Sequence, residues 1–160
     1  MAPRVYQLHT LADTAALAAV VATQLAPGGL LLLTGDLGAG KTTFVQTLAK
    51  AYGVTRMVTS PTFTLANEYP LPDGLRFVHC DLYRLATPEG FYDLGLDEAL
   101  DSGARVAIEW PERAQAVLDR EAPRRLRLAL TVLPDGSRQA QLSEEDLLAA
   151  PSCAAPRGTR

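Results

Sequence analysis

Residues 35–42 restrict what this chain can fold into more than any other part of its sequence. They read Gly-Asp-Leu-Gly-Ala-Gly-Lys-Thr, which fits the pattern Gly-x-x-x-x-Gly-Lys-Ser/Thr. The apolar run Leu30–Thr34 before them has the length expected of a strand buried on both faces. Residues 41–52 after them are predicted to form a helix that ends at Gly53. A strand, a glycine-rich loop and a helix in this order predict a phosphate-binding loop.

The residue types in this loop suit the phosphates of a nucleotide. Glycines allow backbone N–H groups to turn toward phosphate oxygens, and the start of a helix adds positive potential. The Lys41 ammonium is expected to reach the β and γ phosphates, and the Thr42 hydroxyl is expected to bind Mg²⁺. The residues predicted to surround the phosphates are Asp36, Gly38, Ala39, Gly40, Lys41, Thr42 and Thr43.

The lysine of the motif stands out because the chain uses arginine almost everywhere else. Lys41 and Lys50 are the only lysines among 15 basic residues. A compact ammonium differs from a planar guanidinium in shape and hydration, so a lysine in such a sequence indicates a position that arginine does not suit. We therefore expect Lys41, and not Lys50, to be essential to the phosphate chemistry.

Length and composition favour one folded domain in the cytoplasm. The 160 residues have room for a single core, assigned here to residues 1–149, and residues 150–160 are expected to form a disordered tail. The sequence contains neither a bilayer-length apolar run nor a signal-peptide pattern, so we expect a soluble protein without membrane contact. A net charge of −3 disfavours direct binding to a nucleic-acid backbone. The two cysteines, Cys80 and Cys153, are interpreted as reduced thiols.

Helices are predicted from caps, prolines and glycines. Thr10 can cap the first helix, and the Thr-Pro-Glu sequence at residues 87–89 is typical of a helix start. Gly90 and Gly95 are weak points in the helix that follows, and Ser143 with Asp146 resembles a capping box. The predicted helices cover residues 10–25, 41–52, 88–102 and 111–120, with a short last helix beginning at Ser143.

Strands alternate with these helices, as in an α/β fold. The predicted strands cover residues 30–34, 62–68, 75–80, 104–108 and 125–132. The second and third flank a turn at residues 70–74 and should form a hairpin, while the last has period-2 alternation that places Arg125 and Arg127 on an exposed, solvated face. The expected fold class is α/β: a P-loop NTPase-like three-layer sandwich with a mixed, mostly parallel sheet and antiparallel edge strands.

Two acidic residues follow predicted strands and are candidates for holding a metal ion. Asp81 and Glu109 should both project from the carboxyl edge of the sheet, where ligands bind in α/β folds. Taken alone, either carboxylate could equally be a solvated strand end. His79 is interpreted as buried structure because it has no companion at a metal-ligand spacing, and Trp110 alone is interpreted as core packing.

Five motifs, taken in order, resemble the signatures of the TsaE (YjeE) family. They are residues 35–44, 60–65, 79–85, 94–98 and 108–112. The resemblance covers about residues 30–115. Cys80 stands where the family often has Phe, and residues 90–92 replace a more acidic stretch; both differences concern packing.

The resemblance implies a P-loop ATPase of bacterial tRNA threonylcarbamoyladenosine biosynthesis, with ATP and Mg²⁺ as cofactors. Its implied partners are TsaB-like and TsaD-like proteins, one of which modifies adenosine 37 of tRNAs that read codons beginning with A. The chain would meet tRNA only indirectly, through the complex. By the same resemblance Asp81, with Lys41 and Glu109, belongs to the catalytic centre.

The resemblance also assigns individual roles around the nucleotide. Thr42, Glu109 and Asp81 are implied at Mg²⁺, Trp110 at the nucleotide, and Thr10 beside the adenine. Thr62 is implied among the nucleotide-binding residues, and residues 60–64 are implied to act as a nucleotide-sensing loop.

Two other function classes remain open from the residues themselves. ATP is favoured over GTP because neither Lys41 nor Lys50 begins a Lys-x-Asp sequence of the guanine-recognition type. A small-molecule kinase would normally carry several lid arginines, whereas those in the middle of this chain stand apart, among them Arg84, Arg105 and Arg113. A nucleotide-dependent binding module without turnover is the second alternative.

Overall fold

A computed structural model describes residues 2–148 and places the apolar run Leu30–Thr34 inside a seven-stranded sheet. The elements in chain order are β1 (Arg4–Leu8), α1 (Leu11–Gln24), β2 (Leu30–Thr34), α2 (Lys41–Ala51), β3 (Ala66–Pro70), β4 (Arg76–Asp81), α3 (Gly90–Asp93), α4 (Leu96–Asp101), β5 (Arg105–Glu109), a 3₁₀ turn (Pro111–Ala114), α5 (Gln115–Glu121), β6 (Arg124–Val132) and β7 (Arg138–Asp146).

The strand order is β1-β7-β6-β2-β5-β4-β3. The inner strands β4, β5, β2 and β6 run parallel, and β3, β7 and β1 add antiparallel edges. The α/β class with a mostly parallel sheet and antiparallel edge strands is therefore confirmed. The carboxyl ends of β2, β4 and β5 meet at one edge of the sheet, where residues 35–42, Asp81 and Glu109 follow.

Helices cover both faces of the sheet because its central strand is apolar on both sides. Leu31 and Leu33 pack into the core that includes α1 and α2. Leu30 and Leu32 pack into a second core with residues of α3, α4 and α5. Successive side chains of a strand point to opposite faces, so an unbroken leucine run fits this central position.

The prediction of a last helix from Ser143 is wrong. Residues 138–146 form β7, which pairs with β6 along its whole length. Ala140 and Leu142 are buried while Gln141 is exposed, which is the period-2 pattern of a strand and outweighs the local capping signal. β7 also pairs with β1, an edge strand that the sequence analysis did not predict.

Other boundaries shift for local reasons. β3 begins at Ala66 instead of residue 62, because Leu65 has a φ of 60° and cannot continue an extended strand. The hairpin of β3 and β4 is as predicted. The helix predicted over residues 88–102 divides into α3 and α4 at Gly95, and a 3₁₀ turn precedes α5. No helix within residues 2–148 has the length and apolarity to cross a bilayer.

The prediction of an exposed arginine face on β6 is wrong for Arg125. Its side chain is 2% exposed and lies between carboxylates of Asp119, on α5, and Glu145, on β7. Arg127 also pairs with Glu145. Asp119 and Glu145 cover this face of β6, so Arg125 is a buried, paired residue and not a solvated one. The predicted tail over residues 150–160 lies outside the described residues.

Candidate functional site

The loop of residues 35–42 joins β2 to α2 and depends on glycine at two positions. Gly35 has a φ of 144°, and a Cβ atom there would lie 2.5 Å from the Leu130 carbonyl oxygen. Gly40 immediately precedes α2 with a φ of 103°. Side chains rarely adopt such backbone conformations, so both positions favour glycine. The result is a tight loop that ends at the N-terminus of an 11-residue helix.

Lys41 is buried, at 4% exposure, and lies across the loop. Its Nζ atom donates to the carbonyl oxygens of Gly35 at 2.6 Å and Asp36 at 3.0 Å. The same ammonium lies 4.2 Å from the centroid of the Trp110 ring, close enough for a cation–π contact. Trp110, which follows β5 directly, therefore belongs to the site and is not only core packing.

Thr42 and Glu109 meet although they are 67 residues apart in sequence. The Thr42 hydroxyl donates to Glu109 Oε1 at 2.9 Å and lies 3.2 Å from Oε2. Glu109 is the last residue of β5 and is 3% exposed, so its carboxylate is held at the sheet edge. The structure thus brings together the Thr42 hydroxyl and the Glu109 carboxylate, which the sequence analysis named as candidates for binding Mg²⁺.

Asp81 lies next to Glu109 at the end of the neighbouring strand. Burial raises the pKa of Asp81; the Tyr83 N–H bonded to its carboxylate acts in the opposite direction, and the Glu109 charge raises the pKa further. The Tyr83 N–H donates to Asp81 Oδ1 at 3.0 Å. Two neighbouring carboxylates at the ends of β4 and β5 create negative potential that stabilises a divalent cation.

The donor set fits Mg²⁺ because it consists of hard oxygen atoms. Thr42 supplies a hydroxyl, and Glu109 and Asp81 supply carboxylates. Within residues 2–148 no group of three or more His, Cys, Asp or Glu side chains could hold a metal ion by itself. Mg²⁺ is typically bound through one or two carboxylates together with phosphate oxygens and water, so this sparse set suits a nucleotide-bound ion.

His79 is fully buried, as predicted, but its contact was not predicted. Its Nε2 atom lies 2.8 Å from Glu109 Oε1. The pairing of β4 with β5 brings the two side chains together, and only the strand register would have revealed this contact.

A cavity of about 270 Å³ opens beside the loop. Its polar lining consists of His9, Thr10, Thr14, Gly40, Thr43 and Arg138. Thr10 is the N-cap of α1, where its hydroxyl accepts the Asp13 N–H at 3.2 Å. This cap fixes Thr10 at the cavity wall with Thr43. The sequence analysis did not identify Arg138, because the strand that carries it was not predicted.

Within residues 2–148, Thr62 is not hydrogen-bonded to the loop or to the acidic residues described above. It lies in an exposed segment before β3, together with Phe63 and Thr64. Phe63 is 89% exposed, and the centroid of its ring lies 5.9 Å from the Arg84 guanidinium carbon.

Comparisons with known proteins agree on one family. The family model described as threonylcarbamoyl adenosine biosynthesis protein TsaE matches residues 8–140. A relative from Rickettsia bellii, named tRNA threonylcarbamoyladenosine biosynthesis protein TsaE, is 38% identical over 139 residues, which cover 86% of this chain and 93% of the relative. A relative of the same name from Bacillus subtilis is 39% identical over 143 residues, covering 83% and 87% of the two chains.

A solved structure supports the fold. The crystal structure of Bacillus subtilis YdiB superposes with a TM-score of 0.71 and 31% sequence identity. The match covers 91% of this chain and 87% of that one.

Proposed function

The chain belongs to the TsaE family of tRNA threonylcarbamoyladenosine biosynthesis, and we propose that it acts there by binding and hydrolysing ATP with Mg²⁺. The observation that carries this proposal is the hydrogen bond of 2.9 Å between Thr42 and Glu109. It joins the start of the loop helix to the end of a neighbouring strand, beside Lys41. A hydroxyl and a carboxylate in this relationship form the metal-binding part of a phosphoryl-transfer site.

The loop supplies the phosphate contacts. Backbone N–H groups of residues 38–43 surround the phosphates, because the loop wraps the N-terminus of α2. Lys41 exchanges its two carbonyl acceptors for the β and γ phosphate oxygens, with Asp36 beside it on the loop. The cavity beside Thr10 takes the adenosine part of ATP, since it continues from Gly40 and Thr43.

The acidic residues divide the remaining work. Thr42 and Glu109 hold Mg²⁺, with Asp81 beside them; the ion, when bound, neutralises charge on the phosphates. Glu109 is buried and already bonded to Thr42 and His79, whereas Asp81 is only partly buried. Asp81 is therefore the carboxylate that can accept a hydrogen bond from the attacking water.

The role in tRNA modification is exerted through partner proteins. We assign these partners as TsaB-like and TsaD-like proteins, and tRNA is met through their complex. The net charge of −3 gives this chain little affinity for a nucleic-acid backbone on its own. ATP hydrolysis then resets the complex between rounds of modification of adenosine 37.

The test is phosphate release and tRNA modification in the reconstituted system. We expect slow release of inorganic phosphate by the chain alone, faster release with the partners, and repeated rounds of modification. Lys41→Ala should abolish phosphate release and stop modification after the first round. If Lys41→Ala sustains repeated rounds at the native rate, ATP hydrolysis does not drive the cycle.

The same assay separates the two alternatives. A small-molecule kinase would move the γ-phosphoryl group to an acceptor without releasing phosphate. A binding module would support modification with a non-hydrolysable ATP analogue as well as with ATP. Either result would contradict the proposed hydrolysis.

A further inference from the structure

His79 lies beneath the carboxylate of Glu109, with no exposed surface. Its Nε2 atom is 2.8 Å from Glu109 Oε1, and the same oxygen accepts the Thr42 hydroxyl at 2.9 Å. One carboxylate oxygen therefore connects strand β4 with helix α2. The proposed phosphate chemistry does not use His79 directly, so this contact needs its own explanation.

The hydrogen in this contact belongs to the imidazole. The Glu109 oxygen in this contact acts as the acceptor, so Nε2 carries the hydrogen that is donated to it. The other ring nitrogen, Nδ1, is buried without a hydrogen-bond partner among the described residues. A hydrogen on Nδ1 would be a buried donor without an acceptor, which is costly. The surroundings therefore select the tautomer with its hydrogen on Nε2.

The sheet holds the imidazole in this place. His79 pairs with Ala107, and Asp81 pairs with Glu109, in the parallel ladder of β4 and β5. Residues two apart on a strand share a face, so His79 lies one step below the carboxylates on their own side of the sheet. Cys80 points to the opposite core. The ring thus supports Glu109 from below, within packed structure.

We propose that His79 is a positioning residue that orients the Glu109 carboxylate toward Thr42 and Mg²⁺. This inference rests on the proposed function of the Thr42–Glu109 pair. The donated hydrogen bond fixes Oε1, which also accepts the Thr42 hydroxyl, and so holds Oε2 at 3.2 Å from the same hydroxyl. Partners that orient a metal-binding group in this way typically change metal affinity about 10- to 100-fold.

A first test uses the native chain without nucleotide or metal. Nitrogen-15 NMR of the imidazole rings distinguishes a ring protonated at Nε2 from one protonated at Nδ1. The chain has two histidines, so a His9→Gln variant assigns the signals. We expect the hydrogen of His79 on Nε2. A hydrogen on Nδ1 alone would overturn the proposal, because Nε2 could not then donate to Glu109.

A second test measures the Mg²⁺ concentration needed for half-maximal binding of a fluorescent ATP analogue. His79→Leu should raise that concentration about 10- to 100-fold. His79→Gln keeps an N–H donor and should recover part of the loss. Cys80→Ala, a buried change on the same strand that faces the opposite core, should leave the Mg²⁺ requirement unchanged. Binding without Mg²⁺ should be similar in all four proteins, because the loop contacts remain.

The outcomes separate this inference from the proposed function. If the native chain binds the analogue without any dependence on Mg²⁺, both fail. If the native chain requires Mg²⁺ and His79→Leu has the same requirement and melting temperature, only the positioning role fails. Should His79→Leu not fold, the tautomer of the native chain and the Mg²⁺ requirement of His79→Gln decide the question.

Discussion

The Lys41 ammonium lies 4.2 Å from the centroid of the Trp110 ring, while it donates to the Gly35 carbonyl at 2.6 Å. Trp110 reaches this position because its backbone has a φ of 58°, directly after the last residue of β5. A bulky residue in the left-handed region costs about 1–3 kcal/mol. The surrounding structure maintains this conformation, and its effect is to link the loop lysine to the residue beside Glu109.

This link predicts an optical signal for nucleotide binding. Trp110 is the only tryptophan, so its emission reports one location. When Lys41 moves to phosphate oxygens, the charge beside the indole changes, and we expect emission to change with ATP concentration until the site is full. The measurement is a fluorescence titration with ATP and Mg²⁺. Lys41→Met should remove most of the change even at ATP concentrations that saturate binding; an unaltered signal would show that the ring does not sense the lysine.

Replacing each lysine by arginine gives a matched pair of variants. Lys41→Arg should reduce ATP hydrolysis at least about 100-fold, because a planar guanidinium does not fit between two carbonyl oxygens and an indole. Lys50 is exposed in the last turn of α2, so Lys50→Arg should hydrolyse ATP at the native rate. Steady-state phosphate release measures both. Equal rates for the two variants would contradict the role assigned to Lys41.

The two acids should give different kinetic defects. Glu109→Gln weakens the contact with Mg²⁺, so we expect a higher Mg²⁺ requirement together with a loss of hydrolysis. Asp81→Asn should reduce hydrolysis about 100-fold while most ATP affinity remains, because Asp81 is assigned to the attacking water. Asp101→Asn, an exposed change at the end of α4, is the control. ATP affinity and turnover are measured for each variant. If Asp81→Asn loses ATP affinity but keeps the native turnover rate, Asp81 does not act on the attacking water.

The parts of the site that the sequence predicted are those with strong local signals. The glycine loop, Lys41 and Thr42 follow one another in sequence, and the strand ends at Asp81 and Glu109 follow apolar runs. The alternation of buried strands and helices predicts a parallel sheet. In such a sheet the strand ends that carry the loop, Asp81 and Glu109 lie at the same edge. The nucleotide itself, its metal ion and its hydrolysis remain predictions.

What could not be predicted depends on contacts between distant segments. The His79–Glu109 contact requires the register of β4 against β5. Arg138 reaches the cavity only because β7 is a strand between β1 and β6, whereas the local signal at Ser143 favoured a helix. Arg125 is buried because carboxylates from two other elements cover it. Propensity and alternation describe one segment at a time and contain none of this information.

The ion pairs of Glu145 with Arg125 and Arg127 predict that the protein is less stable in acid. Burial acts to raise the pKa of Glu145, but hydrogen bonds from Arg127 and Arg125 outweigh it and lower that pKa overall. A lowered carboxyl pKa stabilises the fold above the ordinary Glu range, and this contribution is lost as the pH falls through the lowered value. Glu145→Gln should therefore reduce the free energy of unfolding by about 1–3 kcal/mol at pH 7, with the difference closing below about pH 4.

Denaturant unfolding at several pH values tests this expectation. Glu68→Gln is the control, because the Arg76–Glu68 pair is 41% and 54% exposed and should contribute less than about 1 kcal/mol. If the free energy of unfolding of Glu145→Gln stays below the native value by the same amount down to pH 3, the charge of Glu145 is not the cause of the difference.

A substitution in the exposed segment before β3 should affect tRNA modification with the partner proteins and leave ATP binding by the isolated chain unchanged. Thr62 and Phe63 are exposed, and Thr62 makes no hydrogen bond to the loop residues among residues 2–148. If the segment transmits the nucleotide state, Thr62→Ala should slow repeated tRNA modification about 5-fold or more, since coupling between sites is typically 1–3 kcal/mol. ATP affinity of the isolated chain should stay native.

Thr55→Ala changes an exposed threonine outside the segment and should have no effect on either measurement. Native multiple-turnover modification by Thr62→Ala would exclude this threonine as the transmitter, and a loss of ATP affinity would instead place it at the nucleotide.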